Sequence, residues 1–305
     1  NKFLIMRILF FRNIPVLLLA YVLLSCNPVI STPQSTMNEN KTQRLWQQVD
    51  SLQKAGMPKA AMDIVKQIQR QIIPEHNHPE FIRTILYQIR LSADFEEDHF
   101  EKSIVMVDKY IANATQPSLS ILNSIQAELY YRYFSVNRHL ILSRTVIEGE
   151  PGDDIKTWDV RSILQKAVFH YEQSLSAPEE LKKLHASGFS EILEEKEGSK
   201  VYRPTLYDIL AQRALDFFTN PQATLIQVND PIELNNESLF ESAEKFINTA
   251  TAKPGELSFN YHALMLFKKL IGFHINDKTP LALIDVDLKR LAWVKENITL
   301  EKKDE

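Results

Sequence analysis

Seven glycines in 305 residues are too few for a chain built from β-hairpins. Hairpin turns and bulges need residues that adopt positive φ, and glycine does so without steric cost. The scarcity therefore argues against a sandwich or barrel. It also leaves no phosphate-cradling loop, since the sequence contains neither GxGxxG nor GxxxxGK[ST]. From Thr42 onward, apolar residues instead recur at helical spacing almost everywhere.

Leu45, Val49 and Leu52 recur at i, i+4 and i+7 before Gly56-Met57-Pro58 breaks the run. Ala61, Val65, Ile68 and Ile72 then mark one side of a second helix, so the two predict an antiparallel hairpin. A second pair is predicted from Phe81–Ala93 and His99–Ala112, joined by the acidic DFEED turn. Its charge complements the dipole of the following helix. A long helix starts near Ser118 or Ser120 and carries Ile121, Ile125 and Leu129, then the aromatic stripe from Tyr130 to Phe134. Asp153 or Asp154 is expected to cap a helix with Ile163, Ala167, Tyr171 and Leu175 inward. Thr205–Phe218, Ser238–Thr249, Leu257–His274 and Pro280–Lys295 are also predicted helices. Residues 178–202 read as short helices and loops, and Asn220–Asn236 as a long connection. Hairpins spaced about 40 residues apart fall in the range of helical repeats, and the first hairpin resembles a tetratricopeptide unit. The fold class is all-α: an irregular α-solenoid or set of stacked helical hairpins over 42–299, with a candidate division near 178–202.

The N-terminus has a different grammar. Arg7 and Arg12 precede an apolar stretch from Ile14 to Leu24, followed by Ser25 and Cys26, the only cysteine. This is the order of a secretory signal, and the stretch is short of the about 20 apolar residues a spanning helix needs. Leu23-Leu24-Ser25-Cys26 resembles the lipobox of bacterial lipoproteins. That resemblance implies a signal peptide over 1–25, with Met6 as the expected true start, and lipidation at Cys26, so that the lipid holds the chain to a membrane. Residues 26–41 are polar and read as a flexible tether.

Removing residues 1–25 removes Lys2, Arg7 and Arg12 and no acid, which moves the net charge from −4 to −7. No basic run remains, so nucleic acid is not expected as a partner. With no cysteine after Cys26, disulfides and cysteine-metal sites are excluded. Glu75, His76 and His78 could ligate a metal, but their loop and Pro79 read as a turn. Glu148, Glu150, Asp153 and Asp154 could hold calcium, but they lack the alternating spacing of a calcium loop. His170 and Tyr171 sit between apolar helical positions, and His274 and Asp277 sit at a helix C-terminus where a cation is favourable. Structural roles are expected for all four. No GxSxG elbow or SxxK occurs. No catalytic residue, cofactor or metal is expected, and the chain is not read as an enzyme.

Four strings go beyond periodicity: LWQQVDSLQKAGMPKAAMDIVKQI (Leu45–Ile68), DDIKTWDVRSILQKAVFHYEQSL (Asp153–Leu175), RPTLYDILAQRALDFF (Arg203–Phe218) and FHINDKTPLALIDVDLKRLAWV (Phe273–Val294). In this order they resemble the N-terminal helical region of the bacterial alpha-2-macroglobulin family of Bacteroidetes-type Gram-negative bacteria. The resemblance implies a cell-envelope protein that traps or inhibits proteases, with β-sandwich macroglobulin domains downstream as intramolecular partners. Many members carry a cysteine-glutamine thioester; this sequence has none after Cys26. The ending LEKKDE reads as a cut inside a longer protein. The expectation is a non-catalytic scaffold and interaction segment, meeting proteases only through the full-length protein.

The alternative is a self-contained helical-repeat lipoprotein that binds a glycan or a protein beside an outer-membrane transporter. Such proteins carry exposed aromatics for sugar stacking, whereas the aromatics here mostly follow core spacing. Surface-exported lipoproteins of the bacterial group that the sequence resembles tend to place acids after the cysteine; NPVISTPQ has none, so the resemblance implies an outer-membrane anchor facing the periplasm.

Overall fold

The computed structural model describes residues 33–72, 77–145, 149, 151–194, 199–220, 234, 236–251 and 257–297, with side chains from Lys41 onward. Among these residues the regular elements are thirteen α-helices and three 3-10 turns. An isolated bridge pairs His185 with Thr205. The all-α expectation is met. The chain divides into two compact units, one ending at His99 and the other beginning at Phe100.

The first unit holds α1 (Pro33–Lys54), α2 (Pro58–Gln69) and α3 (His78–Ser92). Helix α1 begins inside the segment read as a tether. Proline is tolerated at the first helical position, where its missing N–H has no intrahelical partner anyway. No glycine or proline interrupts the run to Lys54. The helix ends as the Gly56 turn predicts. The Met57 N–H bonds to Leu52 O at 2.9 Å and the Gly56 N–H to Gln53 O at 3.0 Å, with Gly56 at φ 69°. This is a Schellman stop, and Pro58 opens α2 directly after it. Leu45, Trp46, Val49, Ala61, Met62, Val65, Ile68, Tyr87 and Leu91 form the core between the three helices. Trp46 binds it to α3: its indole N–H donates to Glu80, its ring lies 4.7 Å from Tyr87, and the Arg83 guanidinium covers it at 3.9 Å. Asn77 caps α3, its side chain accepting from the Glu80 N–H.

The second unit runs through α4 (His99–Ile111), α5 (Ser118–Val136), α6 (Arg138–Leu142), α7 (Val160–Ser174), α8 (Pro178–Leu181), α9 (Ser199–Tyr202), α10 (Leu206–Phe218), α11 (Ala243–Phe246), α12 (Phe259–His274) and α13 (Leu281–Asn297). Helices α5 and α7 pack most extensively. Asn123, early in α5, meets His170, late in α7, so the two run antiparallel. Helix α10 touches α5, α7, α8 and α12, and α13 packs on α12 and α9.

Two further predicted elements differ from what the structure shows. The predicted cap of α7 was Asp153 or Asp154, but Asp154 caps only the 3-10 turn Ile155–Thr157. Trp158 then returns to extended backbone, and Asp159 caps α7 by accepting from the Ser162 N–H at 2.8 Å. The predicted helix Ser238–Thr249 is instead a 3-10 turn, Glu237–Phe240, followed by α11. Arg290 explains the break. Fully buried on α13, it donates to the carbonyls of Leu239 and Glu241. Those oxygens would otherwise serve a continuous helix, and the backbone between the two pieces is extended. Asp287 bonds Arg290 Nε at 2.7 Å, and the Phe246 ring lies 4.3 Å from the guanidinium.

Removing one partner of a buried charge cluster costs about 3–5 kcal/mol, because the groups left behind stay desolvated. Arg290→Met is expected to lower unfolding free energy in urea by about that amount. A loss of under about 1 kcal/mol would mean the carbonyls find other donors and the clamp is dispensable.

Candidate functional site

Two kinds of polar feature stand out in the second unit. The first is a set of clamps around α10. Arg213 donates from Nε to Ser124 Oγ at 2.8 Å and pairs with Glu128, both on α5. Arg132 holds the other oxygen of Glu128 at 2.7 Å. Burial alone would raise the Glu128 pKa, but the two arginines outweigh it and hold the carboxyl below its ordinary value. Lys289 on α13 donates to Gln212 at 2.9 Å and to Asp216 at 2.5 Å. At the start of α10, Thr205 and Asp208 form a capping box. The outer oxygen of Asp208 takes His274 Nε2 at 2.7 Å, while His274 Nδ1 meets Asp277 at 2.7 Å. Each clamp joins two helices through at least one buried side chain, Arg213, Gln212 or His274, so each fixes a packing register.

The second feature is a groove of about 760 Å³. Helix α4 supplies Glu101, Ile104, Val105 and Asp108, and α7 supplies Ser162, Gln165, Lys166 and Phe169. Both sets follow i, i+3, i+4, i+7, so each helix turns one continuous stripe to the groove. Tyr130 of α5 and residues of the segment from Pro151 to Trp158 complete the lining. Trp158 is held there by stacking on Tyr130 at 6.0 Å and by donating its indole N–H to Gly152 O. Gln126, buried in α5, ties α4 in place by donating to Ile104 O at 3.1 Å and Asp108 at 2.8 Å.

The residues singled out in the sequence are scattered. Cys26, Glu75, His76, Glu148 and Glu150 lie outside the described residues. His78 sits in the first turn of α3 behind the Asn77 cap. Asp153 and Asp154 line the groove. Among the described residues, no group of three or more His, Cys, Asp or Glu side chains could hold a metal ion. Tyr130, Tyr133 and Phe134 are core, as their spacing predicts, and Tyr171 is buried. His170 bonds Asn123 at 2.8 Å and stacks on Tyr130. Sequence reasoning missed Arg213, Arg290, Asp208, Trp158 and Phe169. For Arg213 a signal existed, since the only charges in LAQRALDFF are Arg213 and Asp216 and a helix apolar on every side must pair them internally.

Comparison with known proteins finds no matching family model, no matching curated protein and no matching solved structure.

The two buried histidines titrate in opposite directions. Burial pushes His170 down to about 4, helped by the Lys166 charge, so it is neutral at pH 7. Burial would also lower His274, but the bonds and charges of Asp208 and Asp277 outweigh it and raise the pKa above 6.5. A raised folded value makes the His274 contribution complete below the unfolded value of about 6.5 and lost as pH rises through the folded value. The melting-temperature gap between the wild type and His274→Gln is therefore expected to be widest near about pH 5.5 and to narrow towards alkaline pH. A gap constant across that range would show that His274 is not held as the imidazolium.

Proposed function

We propose that this chain is the lipid-anchored, non-catalytic helical scaffold and interaction segment of a cell-envelope protein of the alpha-2-macroglobulin type. In this reading its helices stack as an irregular array of hairpins that stands a protease-trapping body off the outer membrane, on the periplasmic side. The observation that carries it is where the buried charges are spent. Arg213, Lys289, Arg290 and His274 each close a contact between helices. Two of the four strings that carry the family resemblance, Arg203–Phe218 and Phe273–Val294, contain these same residues with Asp208, Asp216, Asp277 and Asp287. What is distinctive in those strings is thus packing hardware, as expected of a scaffold. Among the described residues no helix is long and apolar enough to cross a membrane; in this reading attachment is through the lipid on Cys26.

A second reading, a helical-repeat lipoprotein that binds its own partner, is favoured by the groove between α4 and α7, whose rim keeps Val105 and Phe169 exposed.

Expression from Met6 in a Gram-negative host with radiolabelled palmitate tests the anchor. Label and membrane association are expected for the wild type and should vanish in Cys26→Ser; an unlabelled, soluble wild type would end the lipoprotein reading. Sequencing the gene beyond codon 305 tests the rest. A frame that continues into β-sandwich domains should give a product that retains added trypsin. A stop at that point would remove the protease-trap function.

A further inference from the structure

The clamps account for most buried charge in the second unit, but they leave the groove between α4 and α7 unused. We propose that this groove docks a short extended peptide segment of a partner protein, one in which Lys or Arg residues flank an apolar side chain. The proposal rests on the interaction part of the reading above and names the chemistry of the partner.

The apolar requirement comes from Val105 and Phe169, 53 % and 50 % exposed, one on each wall. Neither is needed for the core. The face of α7 that packs inward is Ile163, Leu164, Ala167, Val168 and Tyr171, all buried, so Phe169 projects from a different side of the helix. The size favours an extended chain. About 760 Å³ suits a few side chains, whereas a docked helix would need a trough about 10–12 Å across along its length.

Charge selects the sign. Among the described residues Glu101, Asp108, Asp153 and Asp154 line the groove against Lys166 as the lining cation. Lys156 lies 3.7 Å from Glu101 and offsets that carboxylate. Asp108 on α4 is held by Gln126 and offset by Lys166, so the carboxylates of Asp153 and Asp154 carry the attraction. A basic side chain is drawn towards Asp153 and Asp154 and repelled from Lys166, which orients the peptide; an acidic segment meets the reverse. An arrangement of this kind acts mainly on specificity and association rate, so the binding should weaken with salt.

The test is fluorescence anisotropy of a fluorescein-labelled Lys-Leu-Lys-Phe-Lys peptide titrated with the purified full chain in about 50 mM salt. Saturable binding is expected, with no binding of Glu-Leu-Glu-Phe-Glu. Phe169→Ser should weaken it about tenfold or more, and Asp153→Asn with Asp154→Asn should weaken it and flatten its salt dependence. Both Phe169 and Val105 are exposed, so Val105→Ser serves as a second apolar test if Phe169→Ser alters the circular dichroism melt. Absence of saturable binding, equal binding of the acidic peptide, or binding indifferent to both classes of variant would overturn the proposal. So would saturable binding of a chito-oligosaccharide, but not of either peptide, which would make the groove a glycan site. None of these outcomes touches the lipid anchor or the downstream gene, so failure here is distinct from failure of the scaffold reading.

Discussion

The second unit depends on satisfying the polar atoms of a helix that is buried all round. Every residue of α10 from Leu206 to Phe218 is buried except Asp216. A helix so placed cannot offer its polar side chains to water, and each unsatisfied group would cost about 1–3 kcal/mol or more if charged. Asp208, Gln212, Arg213 and Asp216 therefore recruit partners from three other places: His274 at the end of α12, Lys289 on α13, and Ser124 with Glu128 on α5. These contacts have fixed geometry, whereas apolar packing alone tolerates sliding. The charges of α10 thus set the register of the helices around it.

The same logic separates the two histidines. His170 faces an amide and two aromatic rings, and burial leaves it neutral. His274 is equally buried but lies between two carboxylates, and their attraction exceeds the desolvation penalty. Sequence context distinguishes them only in part: Asp277 lies three residues after His274, but Asp208 arrives from 66 positions away. Their opposite responses mean that between pH 6.5 and about 4 His170 withholds the proton its unfolded state would take and removes stability. Over the same range the His274 contribution is complete.

What the sequence made legible follows from how local each cause is. The helices of the hairpin around Gly56, α5, α10, α12 and α13 were readable because apolar period and stop signals act within a few residues. The Ser238–Thr249 helix misled because Arg290, about fifty residues downstream, takes its carbonyls. The α7 cap misled because three acids, Asp153, Asp154 and Asp159, precede the helix, and only the extended Trp158 decides among them. The groove was illegible because its walls come from helices separated by the whole of α5. Phe169, which reads as one more core aromatic, lies on the side of α7 turned away from the packed face.

That displacement bears on what the unit is for. A single exposed apolar residue on a helix is ordinary. Two stripes at helical spacing, one from α4 tied down by the buried Gln126 and one from α7 whose preceding Trp158 stacks on Tyr130, are a built surface. Folding did not require it, since burying a Phe is worth about 1.5–3 kcal/mol and Phe169 forgoes about half of that. The bracing under the groove is rigid, with Gln126 and Tyr130 both buried on α5, so a segment that docks there would meet preformed walls and lose only its own freedom. In the scaffold reading proposed above the clamps hold helices together, and among the described residues the α4–α7 groove is a shaped and charged face turned to a partner.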